Sequence, residues 1–545
     1  MAIRINNLSI PVSEENFSLT ENERLQAALQ KQLGIPSSSI TGFTIQKKSL
    51  DARRKNKINN LYQLDVELRD QGTVLKANPE IKPSKVPSIS NPWEGTEEAQ
   101  FRHRPIIVGS GPAGSYAALL LAEAGHKPII LERGEPVNKR IKTVSRFATK
   151  SEFNERSNYC FGEGGAGTFS DGKLTCGRNH PLIRFVFDQF VAHGAPRQIL
   201  YDSHPHMGTD SLLKIAIKMR NHVESRGGLY RFSTALKDFR CGGSKSRYIV
   251  ELENGEEIPT DHLILAIGHS ARDTFEMLLE NNVSIVQKPF AVGARIEHPQ
   301  AVIDEIQFGS CQLLPAAEYK LASRVGKRGI WTFCMCPGGH LVPTNAQPNH
   351  LAINGMSYQA RNSKFANAAV VVNVLKEDFD RGHPLDGMRF QEKFERTAFK
   401  AGGSNYHAPG QRLVDFIKGR SSKGNLISTY KPGVVNARMD KVLPEFVVDA
   451  LSTAMSDYDK RMRGYINDEA LVVGLESKTS SPVSITRDKS NFQSLSHPGL
   501  FPTGEGAGYA GGIISAALDG VKVARAVLQD ATVNAKATQS KNFQA

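Results

Sequence analysis

The 545-residue chain predicts an α/β protein: a parallel-sheet nucleotide-binding domain in two pieces, an inserted mixed α+β substrate domain, and a small N-terminal βαββ unit. Three features carry that expectation. Short, wholly apolar runs at 106–108, 129–131 and 263–267 suit strands of a parallel sheet covered on both faces. Glycine loops near 109 and 504 each follow such a run and lead into an apolar helix. Between them, 289–465 is mixed in texture and carries no nucleotide signature of its own. The implied divisions are 1–76 for the N-terminal unit, 77–103 for a Pro-rich linker, 104–288 and 466–535 for the nucleotide-binding domain, 289–465 for the insertion and 536–545 for a tail.

The N-terminal unit opens with the strand-like IRINNLSIPV from Ile3. A helix over 21–34 follows from Leu25, Ala28, Leu29 and Leu33 at helical spacing, with Thr20 and Glu23 as a capping box and Gly34 as the stop. Strand-like runs come next, near 40–45 and 61–68. The basic run Lys47 to Lys57 between them could grip nucleic acid, although a solvated hairpin flank is the commoner reading. Pro79, Pro83, Pro87 and Pro92 then mark the linker.

Composition excludes several classes. With 40% hydrophobic and 23% charged residues, disorder, collagen and coiled coil are ruled out. No run approaches the roughly 18 apolar residues of a membrane span, and the start MAIRINNLSIPVSEEN lacks a basic and apolar leader, so a cytoplasmic protein is expected. The charge balance of +13 suits anionic ligands without specifying a fold. Six scattered cysteines do not make a disulfide framework, and the C-x-C of Cys334 and Cys336 does not match zinc spacing, so no metal is expected.

The decisive motif is Gly109-Ser110-Gly111-Pro112-Ala113-Gly114, which lies between an apolar strand and an apolar helix. Its glycines allow a tight turn, backbone approach to a pyrophosphate and close helix packing, while the helix N-terminus receives the diphosphate. Glu132 ends the next strand, where it can accept from a ribose diol; an acid there favours FAD or NAD over NADP. Arg133 adjoins it. Near the C-terminus, Gly504-Glu505-Gly506-Ala507-Gly508, then Gly511, Gly512 and Ile513, lead into a long apolar helix; this loop resembles the second FAD motif of flavoproteins, with Glu505 where Asp is usual. Leu236, the Asn254-Gly255 hairpin and Ala266-Ile267-Gly268 resemble the meander and A-T-G segment lying against the FAD adenosine. In the glycine-dense stretch 161–173, Gly165, Gly167, Thr168 and Lys173 are candidates to face an anion or flavin edge; a hinge is the alternative.

FGEGGAGTFSDGKL from Phe161, FCMCPGG from Phe333, NGMSYQAR from Asn354 and PTGEGAGYAGGIISAALDG from Pro502 together resemble an incompletely characterised bacterial family of FAD-dependent dehydrogenases. More distantly the layout resembles geranylgeranyl reductases and tRNA uridine-modifying flavoenzymes. The resemblance implies an FAD-binding Rossmann-like domain, non-covalent FAD, and two-electron transfer with an organic small-molecule substrate. Neither a reactive cysteine pair after the first motif nor a second complete dinucleotide fingerprint is present, so NAD(P)H enters only as a transient reductant or another electron donor or acceptor serves. Cys334, Cys336 and His340 around a Pro-Gly-Gly turn, His407 in a polar turn, and the run Glu476-Ser477-Lys478-Thr479-Ser480-Ser481-Pro482 with Arg487, which could bind an anionic group, Arg487 by a planar fork, are the candidates on the substrate side. Two other readings remain open: a flavin-dependent RNA-modifying enzyme, and a flavin-binding redox sensor without turnover.

Overall fold

The computed structural model describes residues 2–78, 81–84 and 91–542. The N-terminal unit carries the expected capping box, with Glu23 N donating to Thr20 Oγ1 and Thr20 N to the Glu23 carboxylate, and its helix Glu21–Leu33 stops at Gly34 with φ +66°. Leu25, Leu29 and Leu33 bury that helix on a sheet ordered Ile40–Asp51, Asn59–Leu68, Ala2–Pro11, Lys82–Pro83. The last strand corrects the linker expectation: residues 82–83 pair with Ile3 and Arg4 at the sheet edge, where a proline is tolerated. Pro79 and Pro87 lie outside the described residues.

The nucleotide-binding domain has five strands, all parallel, ordered Leu500–Pro502, Leu263–Leu265, Ile106–Val108, Ile129–Leu131, Leu229–Arg231. Its central strands are fully apolar and buried, as covering on both faces requires. On one face the helix Pro112–Glu123 lies between the sheet and the helix Ile513–Asn542. A Cβ at Gly520 would come 2.1 Å from the Ala113 carbonyl oxygen, so only glycine lets these helices touch there. A three-stranded antiparallel meander covers the other face, and its hairpin turns at Gly255 with φ +83°.

The inserted domain is a seven-stranded mixed sheet ordered Ala322–Val325, Arg328–Cys336, Phe365–Val374, Phe290–Pro299, Leu471–Glu476, Ala408–Arg412, Val434–Asn436. Leu471–Glu476 pairs antiparallel with both Phe290–Pro299 and Ala408–Arg412. The return to the nucleotide-binding domain therefore comes after Glu476 and not at 466, because Leu471–Glu476 is buried in the insertion's sheet with both strand partners there. The expected tail is also shorter, because the helix Ile513–Asn542 continues through most of it. Among the described residues, no helix is long and apolar enough to cross a membrane.

Candidate functional site

The two glycine loops converge. A Cβ added to Gly504 would stand 2.8 Å from that of Ala113, so the second loop lies directly against the start of the helix that the first one opens. Between them and the mixed sheet runs a cleft, open to solvent at its mouth.

The glycines divide into two kinds. Cβ atoms at Gly109 and Gly114 would strike backbone, at 2.3 Å from the Ala266 oxygen and 2.0 Å from the Gly109 oxygen, so these two serve the packing of loop on strand. Gly111 faces only the Gly165 Cα at 3.7 Å, and Gly268, Gly511 and Gly512 have no atom within 4 Å. All four of these line the cleft. Packing demands none of them; Gly268 (φ +68°) and Gly512 (φ +157°) hold backbone conformations that favour glycine, while at Gly111 and Gly511 the absence of a side chain leaves room for a ligand close to backbone. Gly111 also opens its helix with Pro112 in the first turn and no side-chain cap, which leaves first-turn N–H groups and the positive end of the helix dipole for an anion. These features fit a dinucleotide.

Glu132 is 5% exposed and lines the cleft. Its Oε2 accepts from Ser110 N at 2.9 Å and Ser110 Oγ at 2.8 Å, and its Oε1 from Gly134 N at 2.9 Å and Gly162 N at 3.0 Å. The carboxylate thus ties the first loop to the glycine-dense stretch, and a ribose hydroxyl would share oxygens already engaged. Arg133 stacks on the Phe161 ring at 4.7 Å and donates to Asp273 and Thr274.

Residues 158–168 are organised by Arg140, which the sequence did not reveal. Its guanidinium is fully buried and donates to the carbonyls of Asn158, Tyr159, Gly162, Glu163 and Gly165 and to Thr168 Oγ1. Burial pushes it down to about 10, which leaves it charged at neutral pH. The stretch is a braced wall and not a hinge. Within it Gly165, Gly167 and Lys173 reach the cleft, while Thr168 turns to a smaller apolar hollow behind.

In the second loop, Asp519 Oδ2 accepts from Gly504 N at 2.8 Å and Thr503 Oγ1 at 3.1 Å. Glu505 enters the cleft beside His269, whose Nδ1 is 3.5 Å from Oε1. Burial pushes the Glu505 carboxyl up to about 7 against the opposing pull of Lys288, and burial with the positive charges of Lys478 and Arg272 pushes His269 down to about 3. Leu236, Ala266 and Ile513 complete the wall, whereas Ser110, Gly114 and Gly504 lie behind it.

Of the substrate-side candidates only Cys334 lines the cleft, on a backbone with φ +43°. Arg295 donates to its carbonyl at 2.8 Å, and burial pushes the thiol up to about 11, so it stays protonated. Cys336 is buried behind, and His340 and His407 lie away from the cleft. Arg487 is no anion fork: it makes two bonds to Asp519, at 2.7 and 2.9 Å, and stacks on Tyr509 at 3.7 Å. Phe333 and Asn354, which open two of the motifs quoted above but had no site role there, reach the cleft from the mixed sheet and from the two-stranded sheet His340–Pro343/Ile353–Met356, and His269, just after the strand Leu263–Leu265, joins them unforeseen. Their partners lie too far along the chain to leave a local signal.

Comparison with known proteins agrees with this geometry. Residues 103–286 match the pyridine nucleotide-disulphide oxidoreductase family model, 289–479 the FAD-dependent protein C-terminal domain-like model, and 2–67 a domain of unknown function. An uncharacterized protein of Clostridium beijerinckii is 42% identical over 538 residues, which cover 97% of this chain and 99% of that protein. The chain belongs to the same FAD-dependent family. An L-glutamate oxidase precursor of Streptomyces viridosporus is 35% identical over 97 residues, 17% of this chain and 14% of its own. Among solved structures, the halogenase PltM aligns at 10% identity with a TM-score of 0.38, covering 79% of this chain and 70% of that one. At the level these matches support, the flavoprotein is an FAD-dependent oxidoreductase.

Proposed function

We propose that the cleft binds one FAD non-covalently and that the flavoprotein passes two electrons between it and an organic small molecule held against the mixed sheet. The observation that carries this reading is one cleft lined by both glycine loops, on which Gly111 opens from one side and Gly511 from the other, neither of them required by packing or by a positive φ. The start of the helix Pro112–Glu123 would take the diphosphate, and Glu132 and Arg133 would flank the adenosine end. Glu505 and the loop at 511–513 would hold the other end. Bound FAD supplies the electron-transfer chemistry, while the protein supplies placement, water exclusion and charge.

Phe333, Cys334 and Asn354 close the substrate side, with Asn354 offering an amide and Cys334 a protonated thiol. The proposed substrate domain accordingly runs from 289 to 476. NAD(P)H, lacking a second fingerprint to dock on, would act as a reductant only by transient stacking. RNA modification gains no support from the basic run: Lys48 pairs with Glu21 at 2.6 Å, Arg53 with Asp51 at 2.6 Å, and Lys55 meets the Glu305 carbonyl at 3.4 Å.

The test is anaerobic titration of the purified holoprotein with NADH, NADPH and a metabolite panel, followed at the flavin absorbance. A yellow protein bleached by one of these donors and then reoxidised over many turnovers when a candidate electron acceptor is added is expected. A folded protein that is colourless and takes up no FAD rejects the reading, and one that binds FAD but never turns over favours a redox sensor.

A further inference from the structure

Lys478 leaves the end of the strand Leu471–Glu476 and enters the cleft wall. It is 8% exposed. An ammonium so deeply buried ordinarily has a carboxylate partner, because desolvating a charge without one is costly. Among the described residues Lys478 has none: its Nζ bonds the Ser270 hydroxyl at 3.3 Å and approaches the Cys160 sulfur, a weak acceptor, at 3.7 Å.

The acid nearest in the network is committed elsewhere. Glu395 accepts two bonds from Arg272, each 2.9 Å, and a third from the Ser477 hydroxyl at 2.7 Å. His269, on the same wall, has a buried Nε2 with no partner and is held neutral by burial and by the positive charges of Lys478 and Arg272. Gly268 beside them leaves open space where a side chain would stand. A desolvated ammonium whose hydrogen-bond partners are both neutral, and which shares the nearby Glu395 charge with Arg272, faces this void and can meet an incoming negative oxygen.

We propose that Lys478 Nζ and the Ser270 hydroxyl form an anion-binding subsite in the cleft wall, which takes a phosphate oxygen or carboxylate carried by the cleft's ligands. This deepens the FAD reading and rests on it. The oxygen has two sources, a phosphate of the dinucleotide or an acid group of the substrate, and the experiment separates them.

In the full-length protein, Lys478→Met is compared with wild type in two titrations: FAD and phosphate-free riboflavin into flavin-stripped protein, and inorganic phosphate and acetate into the FAD-loaded protein, read at the flavin absorbance. If the dinucleotide supplies the oxygen, Lys478→Met weakens FAD at least tenfold and leaves riboflavin unchanged. If the substrate supplies it, FAD binding is kept and the response to phosphate and acetate disappears. Lys478→Arg, which retains the charge, preserves whichever behaviour wild type shows. A Lys478→Met protein matching wild type in both titrations overturns the proposal. Should that variant fail to fold, wild type decides: FAD affinity independent of salt, together with no response to phosphate or acetate, overturns it equally. Wild type that takes up no FAD strikes the cofactor reading instead, and calorimetric titration of phosphate into that protein still tests Lys478.

Discussion

Arg295 and Glu476 face each other across adjacent strands of the mixed sheet, Nε to Oε2 at 2.8 Å, with both side chains fully buried. The rest of the guanidinium holds the Cys334 carbonyl, Asn367 and Asn354, so the pair lies directly beneath two residues of the cleft wall.

Removing one member of such a pair leaves a buried charge uncompensated, at about 3–5 kcal/mol. Glu476→Gln and Arg295→Met are each expected to lower stability by that order in denaturant titrations. The double change Arg295→Met with Glu476→Gln is expected to cost less than the two single losses added together; strict additivity would show that the charges do not depend on each other.

Gly111 and Gly114 are three residues apart and should fail differently. Gly111→Val places its side chain toward the cleft, so flavin content falls to background while the flavin-free protein melts as wild type does. Gly114→Ala puts a Cβ 2.0 Å from the Gly109 oxygen and is expected to destabilise the fold itself. A Gly111→Val protein with full flavin content contradicts the site.

Glu505 should impose a pH dependence on the flavin-free protein. Burial raises its carboxyl to about 7, well above the ordinary 4.5 of a glutamate, so between those pH values the folded state binds more protons than the unfolded one. Stability then falls as pH rises through that window, by on the order of 3 kcal/mol in full. Glu505→Gln should flatten that slope. A slope unchanged in the variant would assign it to another group.

Asp519→Asn removes the charge that Arg487 faces with both side chains at most 6% exposed, and weakens the bonds to Thr503 and Gly504. A lower melting temperature and faster loss of flavin on dilution are the expected results. Loss of stability without any change in flavin retention would mean that the pair supports the sheet but not the loop.

The glycine motifs were readable because their constraints are local: a turn, a helix start and an acid at fixed spacing act within some 25 residues. The capping box of Thr20 and Glu23 was readable for the same reason. The boundary at Leu471–Glu476 was not, since its place in the insertion rests on pairing with Phe290–Pro299 and Ala408–Arg412, far back along the chain. Arg487 looked like a ligand-binding fork because its partner Asp519 sits 32 residues on, inside a helix whose pattern is otherwise apolar. Lys478 depends on Ser270 and Cys160, 208 and 318 residues away, and no spacing rule connects them.

Lys48 joins the N-terminal unit to the body of the molecule through main-chain bonds, its N–H to the Tyr201 carbonyl and its carbonyl to the Ser203 N–H, both at 2.8 Å. Three residues further on, His206 bonds Ser357, which in turn holds the cleft residue Asp171. The small unit is therefore a buttress. Cutting it away would bare raw main-chain groups on a segment that props the cleft, so a shortened version should be judged a damaged protein and not a minimal one.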